Sequence, residues 1–322
     1  MIIKRNIWLM ALLVVSVVSG RDAFSEEASD TRPGEMWVDL CMGEPMPFDA
    51  VIADLATSKV IFLGERHRIE RHHRLQREIV EALAEQDLPL VVGLEQMEAN
   101  QQPVLDRYAA GEIDFDTLVK ESEREKYWSS FEQYRELLEA ARKAGAKLLA
   151  LNAPPGVIRA VARSGGIEKV APEIRKQLPE EIPTEDPLYE QLLMMIMPVH
   201  AAASPERLRP MIEAQMSRDE MMASQLADYL KSDEGRDRTA IVICGSGHVN
   251  YGLGTAGRLE RRLPDASQRI ILFSESGDLK LTEAERAMSR PISITHEKLR
   301  KLRVPIADYL HITPRAEEKG EE

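Results

Sequence analysis

Three short turns carry most of the side chains in this sequence that could do chemistry. Gly64-Glu65-Arg66-His67, Gly93-Leu94-Glu95-Gln96 and Gly245-Ser246-Gly247-His248 each set an acid or an imidazole just beyond a glycine. Glu65, His67, Glu95 and His248 suit general acid–base chemistry, in which a carboxylate orients an imidazole as proton acceptor. His67, Glu95 and His248 equally suit a divalent cation of the Mn, Fe, Co or Zn type. Residue type alone leaves both open.

The turns matter because of what precedes them. Val60-Ile61-Phe62-Leu63, Leu90-Val91-Val92, Leu148-Leu149-Ala150-Leu151 and Ala240-Ile241-Val242-Ile243 are short apolar runs, each closed by a polar or Gly/Pro turn, and Ile270-Ile271-Leu272-Phe273 is a fifth. Unbroken apolarity predicts strands buried on both faces, as in a parallel sheet covered by helices. Helical spacing lies between them: Leu75, Ile79 and Leu83 across 70–86, Tyr134, Leu137, Leu138 and Ala141 across 131–144, and Leu208, Ile212, Met216 and Leu226 across 205–230. The expected fold is α/β, a mostly parallel central sheet flanked by helices. A strand-free stretch of about 153–236 reads as a helical insertion covering the crevice at the carboxyl ends. In such a sheet those ends face one way and ligands bind beyond them, so the four site residues should meet on one rim.

Other signals are weaker. His72 and His73 open a helix without the i, i+4 spacing of a helical zinc motif, and at least one reads as solvated. Gly245-Ser246-Gly247 is neither a nucleophile elbow nor a complete dinucleotide loop, since Asn250 stands where the third glycine belongs. The methionines Met194, Met195, Met197, Met211, Met216, Met221 and Met222 read first as adaptable core. Their functional reading is a soft wall for a large flat apolar ligand. Tyr251, three residues past His248, could reach the rim, and His200 could hang over it; tyrosinate is one haem-iron ligand type.

Residues 1–25 read as an export signal, with Lys4 and Arg5 before the apolar run Ile7–Val18 and a small-residue cleavage site at Ala23-Phe24-Ser25. The expected organisation is a signal at 1–25, an extension at 26–44, one α/β domain at 45–315 and a charged, disordered tail at 316–322. Loss of Lys4, Arg5, Arg21 and Asp22 would take the net charge from −12 to −14. Such acidity argues against nucleic acid as a partner. Two cysteines exclude a disulfide scaffold, and Cys41 lacks the lipobox context of a lipid anchor, so no stable membrane anchor is expected after signal cleavage. The expected location is periplasmic or secreted.

Val60–Leu83, reading VIFLGERHRIERHHRLQREIVEAL, resembles the opening block of the ChaN-like haem-binding proteins, grouped with the Tiki, TraB and erythromycin-esterase superfamily. The resemblance continues through Gly93-Leu94-Glu95-Gln96, Tyr127-Trp128, Leu151-Asn152-Ala153-Pro154, QMSRDEMMA at 215–223, CGSGHVNYGLGTAGRL and Ala307-Asp308-Tyr309-Leu310. It implies an α/β domain, haem as cofactor held near a homodimer interface, and a role in haem or iron uptake. The wider superfamily implies a hydrolytic or metal-dependent centre at His67, His248 and Glu95, with Glu65 beside them. Two differences stand out: Arg68 follows the first histidine where relatives often carry an acid, and no lipobox cysteine is present.

Overall fold

The computed structural model describes residues 35–196, 205–274 and 305–312, so the expected signal, the tail, Met197 and His200 lie outside the described residues. One eight-stranded sheet runs through the molecule in the order β2-β1-β8-β7-β3-β6-β4-β5. Its strands are β1 (Met36–Asp39), β2 (Glu44–Met46), β3 (Val60–Glu65), β4 (Leu90–Glu98), β5 (Lys147–Asn152), β6 (Thr239–Gly245), β7 (Gln268–Phe273) and β8 (Tyr309–Ile312). From β8 to β5 every pairing is parallel, while β1 runs antiparallel to β8 and β2 antiparallel to β1.

The five apolar runs are strands, and their alternation is hidden because both faces are buried. Ile61 and Leu63 pack into one core with Leu75, Ile79 and Leu138, from helices Glu70–Ala84 and Arg135–Lys143. Val60 and Phe62 pack into a second core with Leu192, Met216 and Leu226, from helices Pro187–Ile196 and Pro205–Lys231. Successive strand residues point to opposite faces, so an apolar run is required wherever both faces are covered.

Between β5 and β6 the described residues form helices and turns and no strand. Met216 and Met222 are fully buried there and Met221 nearly so, while Met194 is exposed. β1 falls within the segment read as an extension: Trp37 buries its ring against His311 and Phe273, which makes 36–39 part of the sheet. Four residues with two buried positions at most give too short a pattern to identify from sequence. Among the described residues, no helix is long and apolar enough to cross a membrane.

The order β3-β6-β4 is what positions the site. Strand β6, late in the sequence, inserts between two early strands, so Glu65 and Gly245, which end β3 and β6, lie beside Glu95. Contrary to the turn expected at Gly93–Gln96, Glu95 stands inside β4, which runs on to Glu98 past its pairing with β6.

Candidate functional site

At the carboxyl edge of those three strands, carboxylates and imidazoles alternate in a chain. Glu65 Oε1 lies 2.8 Å from His67 Nδ1, and His67 Nε2 lies 3.8 Å from Glu95 Oε1. Glu95 Oε1 lies 3.1 Å from His248 Nε2, and His248 Nδ1 lies 2.5 Å from Asp219 Oδ1. The four residues expected on one rim do meet, joined by Asp219 from the helix Pro205–Lys231.

Glu65 ends β3 with its carboxylate fully buried on the face of the Glu70–Ala84 helix. It accepts hydrogen bonds from Gln76 Nε2 at 2.7 Å, from Gln96 Nε2 at 3.0 Å and from the Tyr134 hydroxyl. Burial opposes its ionisation, but the facing His73 and His67 rings and the Tyr134 hydroxyl hold its pKa below the usual carboxylate value. Burial, followed by the charge of Glu65, pushes the Tyr134 hydroxyl well up, so it stays a donor.

Glu95 occupies the opposite face of β4 from Gln96, as strand alternation demands. Its Oε2 accepts from the Gly245 backbone N–H at 2.6 Å, and Asn152 Nδ2 donates to its backbone carbonyl at 2.8 Å. Burial raises the Glu95 pKa, but His248, His67 and Arg218 outweigh it and hold the carboxylate well below its ordinary value. A side chain at Gly245 would put its Cβ 2.9 Å from His67 Cε1 and Nε2, so the ring can approach only over a glycine.

His248 sits in the 3-10 turn Ser246–His248, 5% exposed, with a carboxylate on each ring nitrogen. Burial lowers its pKa, yet Glu95 and Asp219 prevail and bring it up to about 10. The ring is therefore an imidazolium at neutral pH. Asp219 is itself held by the Tyr189 hydroxyl at 2.6 Å and the Thr255 hydroxyl at 2.8 Å. Gln215 Nε2 lies 3.1 and 3.2 Å from the two nitrogens of the His248 ring.

His67 differs from His248 in access. Its side chain is 34% exposed, and the Trp128 indole meets its ring edge-on at 4.7 Å between centroids. Burial of the ring lowers its pKa, but Glu95 and Glu65 together raise it above the ordinary value. His67 is the ring of the pair that can both titrate and meet a ligand.

The expected metal set of His67, Glu95 and His248 is thus assembled as mutual partners. A ligating imidazole must offer a lone pair, whereas both nitrogens of His248 face carboxylates. Among the described residues, no three His, Cys, Asp or Glu side chains are disposed around a common metal position.

Tyr251 is 7% exposed, in the turn Asn250–Gly252, with φ at 61° and its N–H donating to Ile306 O at 2.8 Å. Its ring packs in the core shared with Val249 and Ile306. Contrary to the sequence expectation, neither His72 nor His73 is solvated: the first turn of their helix is tucked under the sheet edge and both are buried. His72 Nδ1 accepts from the Arg66 N–H at 3.0 Å, and His73 Nε2 lies 3.4 Å from Glu65 Oε2.

Sequence reasoning passed over Asp219, Gln215, Gln76, Gln96 and Tyr134 as site residues. A signal existed for two of them. Asp219 stands in the apolar stripe Ile212, Met216, Asp219, Ala223, Leu226, and Gln76 in the stripe with Ile79 and Leu83. A polar side chain on a core-facing stripe needs a buried partner.

The sequence model of a family described as haem-binding uptake, Tiki superfamily, ChaN matches residues 51–259. A plant relative, Protein RETICULATA-RELATED 5, chloroplastic, of Arabidopsis thaliana, is 25% identical over 270 residues, or 76% of this chain. The chain spans only 35% of that relative's length. The structure of ChaN of Campylobacter jejuni with cofacially bound haem overlays with a TM-score of 0.63 at 19% identity, covering 86% of this chain and 96% of that one. An erythromycin esterase in its open conformation overlays more loosely, with a TM-score of 0.45 at 16% identity, covering 75% of this chain and 77% of that one.

Proposed function

The chain belongs to the ChaN family of haem-binding uptake proteins in the Tiki superfamily, and from that premise we propose that it binds haem and serves haem or iron uptake after export. The observation that carries the reading is His67. Its Nδ1 is 2.8 Å from a buried carboxylate while the ring stays a third exposed, at 34%. Carboxylate behind imidazole is how proteins orient a ligating histidine and raise its basicity. The donor chemistry of the rim therefore fits a haem iron at His67 better than at His248, whose nitrogens are both committed, or at Tyr251, which is packed in the core. Iron bound there would supply the affinity; Glu65 would fix the tautomer. Because the His67 pKa is raised, ligation through it strengthens as the pH rises and the ring loses its proton. Export to the periplasm or outside is supported by the charged and apolar composition of residues 1–25.

Titration of the purified protein with haemin tests the reading. A Soret shift saturating near one haem per chain is expected, weakened in His67→Ala. No shift in the wild type ends it.

A second reading is favoured by the alternating chain itself. An imidazole gripped at Nδ1 by one carboxylate and facing another is arranged as a general base for ester or peptide hydrolysis. In that case His67 would take a proton from water, Glu65 would orient it, and the His248 imidazolium would keep Glu95 ionised beside it. A panel of ester and peptide substrates run against wild type and His67→Ala decides this: hydrolysis lost in the variant supports it, and equal silence removes it.

A further inference from the structure

The buried His72 has a hold on the site from outside the chain of acids and rings. Its Nδ1 accepts from the Arg66 N–H at 3.0 Å, and Arg66 stands between Glu65 and His67. The Arg66 carbonyl accepts from the Ile69 N–H at 3.1 Å, and the Ile69 carbonyl from the His72 N–H at 2.8 Å. The turn that carries His67 is thereby fastened to the start of the Glu70–Ala84 helix through both backbone groups of Arg66.

Accepting at Nδ1 fixes the state of the ring. An imidazole can accept there only when it is neutral, with its proton on Nε2. His72 Nε2 is buried with no hydrogen-bond partner among the described residues. The ring is fully buried and lies against Phe273 of β7 at 5.3 Å between centroids. The titratable groups that act on it are basic: Arg66 in the turn, Arg71 and His73 on its own helix, and His311 of β8. Two of these imidazoles face acids, His73 with Glu65 at 3.4 Å and His311 with Glu35 at 3.5 Å, and Glu35 is also paired with Arg74 at 2.7 Å. His72 pairs with no acid among the described residues. Burial, followed by Arg71, His73 and Arg66, holds its pKa well below the ordinary 6.5, so the bond to Arg66 stands through neutral pH.

A proton added at Nδ1 turns the acceptor into a donor. It then meets the Arg66 N–H donor to donor, as a buried charge with no acid to answer it, and movement of the turn relieves both. We propose that His72 is an acid-sensitive latch on the His67 turn and, resting on the haem reading above, that its opening in acid releases the ligand held by His67.

Hydrogen exchange of the Arg66 amide, followed by NMR in the ligand-free protein from acid to neutral pH, reads the latch directly. In wild type its protection should fall up to about tenfold with each unit of pH lost. Amides inside the sheet, such as those of Val92 and Ile241 on the paired strands β4 and β6, should stay protected. H72N supplies an amide oxygen that accepts and does not protonate, and should abolish the fall. H72L supplies no acceptor and should leave Arg66 poorly protected at every pH. Loss of haemin to an excess of a haem scavenger should follow: equal rates for wild type and H72N at neutral pH, and a rate about tenfold higher from wild type in acid. A fall at Arg66 that H72N retains, or one in step with Val92 and Ile241, overturns the latch. Equal haemin loss from wild type and H72N in acid overturns its role in release while haem binding stands. If wild type takes up no haemin, the haem reading fails and the release role with it, and the amide exchange still decides the latch.

Discussion

Glu65 and Glu95 lie on opposite faces of one sheet edge, at the ends of strands separated only by β6, and each is 2% exposed. Glu65 is surrounded mainly by neutral dipoles: the Tyr134 hydroxyl and the side-chain amides of Gln76 and Gln96. Glu95 has a backbone N–H on one oxygen and the doubly clamped His248 on the other. The first arrangement spreads a negative charge over several replaceable donors and leaves one oxygen to orient an accessible ring. The second locks a charged ring between two carboxylates, where removing any member leaves a buried polar or charged group short of a partner. One half is built to adjust a titrating group, the other to hold a fixed one.

Breaking the clamp should be the costlier act. Asp219→Ala leaves the His248 imidazolium, Tyr189 and Thr255 without their shared acceptor, and should lower stability by about 3–5 kcal/mol in chemical denaturation. Tyr134→Phe removes a single neutral donor from Glu65 and should lower it by about 1.5–3 kcal/mol, the range for a hydrogen bond to a charged group. Comparable losses would erase the contrast between the two halves.

The contrast also predicts a pH profile. The folded pKa of His248, about 10, lies above its ordinary value of 6.5. Its contribution is therefore complete below 6.5 and is lost as the pH rises through about 10, with a slope of up to about 1.4 kcal/mol per pH unit between. Glu65 and Glu95 are shifted down from 4.5, so their contributions are present above that value and are lost as the pH falls through the folded values. Stability measured against pH should thus fall above about 6.5 as the His248 contribution is lost. It should also fall below that pH, first as the buried His72 and His73, whose pKa values are lowered, are driven to protonate and then as Glu65 and Glu95 do. Asp219→Ala should flatten the alkaline limb and leave the acid limb largely in place.

The smallest effect concerns His67. Glu65→Gln keeps a hydrogen-bond acceptor but removes the charge, so the raised His67 pKa should drop towards its ordinary value in an NMR titration of the ring. His248 should scarcely move. A shift of equal size at both rings would mean that the two halves titrate as one.

Much of this was legible beforehand. The strands at 60, 90, 148, 240 and 270 announce themselves because both faces of each are covered, and no polar residue can stand in such a run until the chain leaves the core. The polar residues at their carboxyl ends were visible for the same reason. His72 and His73 were misread because a helix start on a rim is exposed in most sheets, and only the packing of this helix under the strand ends shows otherwise. Asp219 left a faint mark as an acid in an apolar stripe, but nothing in the sequence names its partner 29 residues away.

The sequence by itself determined that Glu65, His67, Glu95 and His248 would stand on the carboxyl side of buried apolar runs, although β4 continues through Glu95 to Glu98. The tertiary structure decided that they form a chain rather than a cluster. That depends on β6 entering between β3 and β4 and on the Pro205–Lys231 helix lying across the edge, long-range choices made by the fit of whole faces. Those choices assign the two imidazoles different tasks: His248 is clamped on both nitrogens, while His67 keeps an exposed edge.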